Sequence, residues 1–94
     1  MNNVLTVNLR EAADVNNASL LHLVILKNDI GYDFEVRENN KMIFSLRFLY
    51  GQKLHKIAYC LGGAVYGLLN NDALAEVVIK AIEDNKDVLG GYEL

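Results

Sequence analysis

The chain has no proline, no tryptophan, one cysteine and two histidines in 94 residues. A lone Cys60 forbids an internal disulfide, so no covalent staple is expected. His22 and His55 have no second His, Cys or carboxylate at ligand spacing, and Cys60 stands five residues after His55, far round a helix that turns about 100° per residue. No metal site is expected. Ser19 and Ser45, the two serines, sit in no nucleophile elbow, and Cys60 has apolar neighbours that would keep a thiol unreactive.

Charge of one sign is also scarce. Nine basic residues are spread along a chain of net charge −3, with no cationic stripe to follow a phosphate backbone, so direct nucleic-acid binding is not expected. The twelve acids are equally dispersed and make no polyanion mimic. The longest run with neither a charge nor a side-chain amide, IAYCLGGAVYGLL over residues 57–69, falls short of the roughly 20 residues that span a bilayer, so no membrane partner is expected. MNNVLTVNLR lacks the basic start and apolar core of a signal peptide, which makes the cytoplasm the expected location.

Hydrophobic residues make up 52% and charged residues 22%, the balance of a globular chain, and the length fits a single domain spanning residues 1–94. Residues 4–10 alternate with Leu5, Val7 and Leu9 on one side, which predicts a half-buried strand. The polar residues 11–19 read as coil. Residues 20–27 are apolar on both parities, as in a central strand. Residues 32–38 and 42–49 alternate cleanly, with Tyr32, Phe34 and Val36 on one face and Met42, Phe44, Leu46 and Phe48 on the other strand's matching face.

The hairpin turn between them can be argued from those faces. A two-residue Asn39-Asn40 loop would pair Val36 with Ile43 and mix the faces. A three-residue loop from Asn39 to Lys41 pairs Val36 with Phe44, Phe34 with Leu46, Tyr32 with Phe48 and Asp33 with Arg47, and is the one expected.

From residue 53 the period lengthens to 3.6. A helix is predicted over 53–70, with Leu54, Ile57, Ala58, Leu61, Val65 and Leu68 as its core stripe and Asn70 as its stop. A second helix, capped by Asp72, is predicted over 72–84 with Leu74, Val77, Val78 and Ala81 inward. Residues 86–94 read as a frayed tail in preference to a docking element. The order implies a two-layer α+β domain, an antiparallel sheet of about four strands followed by two C-terminal helices packed on one face.

The first helix carries the most unusual residues. Gly62 and Gly67 have the spacing of a phosphate loop, but Leu68 and Leu69 stand where Lys and Ser or Thr are needed, so no nucleotide cofactor, and no cofactor of any kind, is expected. A helix apolar all round needs cover all round. On a helical wheel His55, Tyr59, Gly62 and Tyr66 form one stripe, expected to leave an aromatic notch at Gly62 for a partner's side chain or a small ligand.

Lys56, Cys60, Gly63 and Gly67 form another stripe, expected to bring a second copy of the helix close. The expectation is a non-enzymatic module that binds another protein and acts as a homodimer. The alternative is a protein that sequesters a small ligand or signalling nucleotide. Size and acidity are similar to those of small inhibitors carried by phages and mobile elements, and eleven asparagines fit such AT-rich genomes.

Overall fold

A computed structural model describes residues 2–9 and 21–94. Four antiparallel strands form one sheet in sequential order, β1 (Asn2–Asn8), β2 (Leu21–Lys27), β3 (Gly31–Glu38) and β4 (Lys41–Leu49), followed by helices α1 (Leu54–Leu69) and α2 (Asp72–Asp84) and a 3-10 turn at Lys86–Val88. The α+β arrangement expected from the pattern is the one found. The coil reading of residues 11–19 falls outside the described residues. The first strand lies two residues earlier than expected, with Leu9 beyond its end but fully buried.

Strand alternation builds the inner layer. Leu5, Ile25, Phe34 and Leu46 lie in one cross-strand row, and Val7, Leu23, Val36 and Phe44 in the next. Leu23, Ile25, Phe34 and Val36 are fully buried in one core with Ile57, Leu61 and Val65 of α1 and Leu74, Val78 and Ile82 of α2. Each such side chain contributes about 1.5–3 kcal/mol by leaving water.

The β3–β4 hairpin departs from expectation in an instructive way. All four expected pairs, Asp33 with Arg47 included, are present. The loop, however, is the two-residue Asn39-Asn40 turn that had been set aside, with φ of 52° and 68°. Both residues in the left-handed region make the tight turn that suits the twist of a hairpin, and asparagine tolerates it. The register survives because Lys41 pairs with Glu38 and Met42 with Arg37, after which a bulge at Ile43 restores Phe44 to Val36. Met42 consequently leaves the inner face and is 59% exposed.

On the outer face Asp33 is buried, and Arg47 grips it with Nε donating to Oδ1 at 2.6 Å and Nη2 to Oδ2 at 3.1 Å. Asn28 Nδ2 adds a third bond at 3.3 Å. The Arg47 hydrogen bond holds the Asp33 carboxyl below its usual range, against the opposing effect of burial. An unfolded Asp33 titrates near 3.9. The pair's contribution is therefore complete above that value and is lost as pH falls through it towards the lower folded value. The urea midpoint of the wild type should fall between about pH 5 and pH 2 more steeply than that of Asp33→Asn. Parallel acid profiles for the two proteins would show that the pair contributes nothing pH-dependent.

The tail is docked, not frayed. Leu89 and Tyr92 are buried, Tyr92 Oη donates to Phe48 O at 2.6 Å, and Tyr32 Oη donates to Gly90 O at 2.9 Å. Tyr32, Tyr50 and Tyr92 pack ring against ring with centroids 5.3–6.2 Å apart. Gly91 takes φ of +101° with its open side against the Tyr50 ring, a place where a side chain would meet both strain and collision. Backbone bonds join Gly51 N to Gly91 O and Glu93 N to Gln52 O, and Leu54 N, an orphan donor at the start of α1, finds Glu93 O at 2.7 Å. Lys53 at the cap position supplies no side-chain cap, so the tail does that job.

Two further expectations shift. Asn71, not Asp72, caps α2, its Oδ1 accepting from Leu74 N at 3.0 Å. Within α2 the fully buried stripe is Leu74, Val78 and Ile82, while Val77 and Ala81 are only partly covered. Asn70 ends α1 as expected, in the left-handed region at φ 51°.

Candidate functional site

The α1 helix presents two unlike sides. Leu54, Ile57, Ala58, Leu61 and Val65 are buried, as their shared angle on the helix requires. Gly62 is buried too, beneath α2. A Cβ there would meet Ile79 Cδ1 and Cγ1 at 2.7 Å and Ala75 O at 3.2 Å. Glycine at this position admits the neighbouring helix of the same chain, so the notch expected between the tyrosines is filled by Ile79.

The other side is bare. Tyr59 is 61% exposed and Tyr66 48%, and Cys60, Gly63 and Gly67 are exposed with them. A Cβ on Gly63 or Gly67 would meet nothing within 4 Å. The core placement expected for Leu68 is corrected as well, since it is 61% exposed. Its angle matches that of Ile57 and Leu61, but it lies in the last turn, and its neighbour Leu69 packs against the core in its place. Cys60, expected among apolar neighbours, is open to solvent.

At the N-terminal end of this surface His55 meets Tyr59 edge to face, with ring centroids 5.7 Å apart and an interplanar angle of 67°. His55 and Lys56 are both exposed. His55 also borders a surface depression of about 320 Å³ shared with Leu54, Glu83, Asp84, Lys86 and Leu94. The structure therefore brings His55, Tyr59 and Tyr66 onto one exposed side with Lys56, Cys60, Gly63 and Gly67, and separates Gly62 from them. Leu68, exposed in the last turn, lies about 180–200° round the helix from Tyr59 and Tyr66 and is not part of that side.

This surface suits contact with a protein. Tyrosine presents a rigid apolar ring with a polar tip, and the centres of protein interfaces are enriched in it and depleted of Lys, Asp and Glu. From Ile57 to Leu69 there is no charged side chain to desolvate. Among the described residues no group of three or more His, Cys, Asp or Glu is placed to hold a metal ion, and no helix is long and apolar enough to cross a membrane. Compared with known protein families, curated proteins and solved structures, the chain matches none.

Proposed function

We propose that this protein is a non-enzymatic interaction module that inhibits a target protein by covering part of its surface, with the outer side of α1 as its contact face. The observation that carries this reading is the uncharged, aromatic and exposed surface of Tyr59 and Tyr66 on a helix whose other side is committed to the core. Water on such a surface is released when a partner covers it, and little polar desolvation opposes the gain. The small residues Cys60, Gly63 and Gly67 leave room between the tyrosines for the partner's side chains.

Site-specific photocrosslinking in the cell of origin tests the reading. A photoreactive phenylalanine analogue at position 66 should give one dominant protein adduct, whereas the same analogue at Asp87, exposed on the 3-10 turn, should give none. Adding Tyr59→Asp should abolish the adduct while leaving the circular dichroism spectrum unchanged, because Tyr59 lies outside the core. Equal adduct patterns from positions 66 and 87 would remove the assignment of this face.

A further inference from the structure

Among the described residues β4 is an edge strand, with β3 on one side and no strand on the other. Its backbone directions follow from one bond. Tyr50 N donates to Ile30 O at 3.0 Å, one step beyond the Gly31–Leu49 pair. Because backbone groups alternate along a regular antiparallel ladder, Phe44, Leu46 and Phe48 address β3 while Ser45, Arg47 and Leu49 address the open side. Three of the exposed large hydrophobic residues lie on this strand, Met42 at 59%, Ile43 at 37% and Leu49 at 49%, and Ile30 at 51% adjoins its far end.

We propose that β4 pairs antiparallel with β4 of a second copy, about a two-fold axis perpendicular to the sheet at Leu46. Such an axis keeps each face on its own side, so only a few registers are open. Centring on Arg47 sets two guanidinium groups opposite each other, and centring on Phe44 sets Arg47 against Lys41, so like charges exclude both. Centring on Ser45 sets Leu49 against Lys41 and Arg47 against Ile43.

Centring on Leu46 sets Leu49 against Ile43 and Arg47 against Ser45 on the outer face. On the inner face, half-buried Phe44 meets Phe48 and Leu46 meets itself. In this register alone every apolar side chain from Ile43 to Leu49 meets another, and the polar Ser45 and Arg47 meet each other. The two Arg47 side chains come diagonal to one another, a placement eased because each is already paired with its own Asp33 at 2.6 Å.

The self-association expected on the Lys56, Cys60, Gly63 and Gly67 stripe is better placed here. The stripe offers small residues, whereas the edge offers directed backbone donors and acceptors in a self-matching order. A two-fold pair uses both β4 edges and closes as a dimer, and it leaves the α1 contact face open, so it stands apart from the function proposed above.

Sedimentation equilibrium over a wide concentration range, compared with the 10.5 kDa chain mass, tests the proposal. The wild type should reach the mass of two chains. Ser45→Pro removes an open-side N–H and no bond to β3, and Leu49→Asp sets a carboxylate against Ile43; each should return the mass to that of one chain. Gly63→Leu should remain a dimer. Leu49 is exposed, so its variant reports even where Ser45→Pro fails to fold. A wild type that stays monomeric, a dimer that survives Leu49→Asp, or a dimer lost only in Gly63→Leu would overturn the assignment.

Discussion

Gly31→Ala should lower stability by about 3 kcal/mol, a fall in Tm of roughly 10 to 20 °C for a chain of this length. A Cβ built on Gly31 would lie 2.1 Å from Phe48 O and 2.9 Å from Leu49 Cα, and these obstacles are backbone atoms of the adjacent strand, not the ends of flexible side chains. The β3–β4 ladder would have to part at its Gly31–Leu49 end. Gly63→Ala is the matching control. The added methyl meets nothing within 4 Å and replaces a poor helix former inside α1, so it should raise stability by up to about 1 kcal/mol. Thermal denaturation of the two variants beside the wild type reads both signs at once. A Gly31→Ala protein that melts with the wild type would mean that β3 and β4 are not paired as described.

Tyr92→Ala should cost about 3 kcal/mol by urea unfolding, at the lower end of the range for a buried aromatic because the ring keeps a little exposure. The change removes the ring packed against Tyr32 and Tyr50 and the hydroxyl donor to Phe48 O. Tyr92→Phe separates these contributions, since it keeps the ring and forfeits a hydrogen bond of about 1 kcal/mol. Burial also pushes the Tyr92 hydroxyl upward in its ionisation, and that of Tyr32 with it. Their contribution is complete below the ordinary tyrosine value near 10 and is lost as pH rises beyond it, so Tyr92→Phe should soften the alkaline unfolding of the wild type. If Tyr92→Ala unfolded at the wild-type midpoint, residues 89–94 would not be part of the core.

The sheet was legible in the sequence because period-two alternation in residues 32–38 and 42–49 fixes which side chains share a face, and faces fix register. The turn was not. Register arguments constrain only the sum of loop and bulge, and Asn39-Asn40 with a bulge at Ile43 gives the same sum as a three-residue loop. Similarly, the helical wheel located the bare side of α1 at Tyr59, Tyr66, Gly63 and Gly67 but misplaced Leu68, since an angle says nothing of where along the axis the cover ends. Gly62 was read by its angle toward the tyrosines, when its decisive neighbour, Ile79, is 17 positions away in sequence.

The tail was the hardest to read. KDVLGGYEL has the glycine pair and charges of a loose end, and its two anchors depend on remote carbonyls and rings that no local pattern announces.

The β2–β3 and β3–β4 connections are short, and their partners are near in sequence, whereas the Tyr32–Gly90 bond spans 58 positions. Contacts that close long loops tend to form late on the way to the native state. The tail then joins a sheet and helix pair already condensed, and it acts as the latch on a door that has swung shut. Most of the Tyr92→Ala loss should accordingly appear as faster unfolding in stopped-flow kinetics, with the refolding rate little changed. How long a folded molecule lasts before it opens is set, on this view, at residues 89–94.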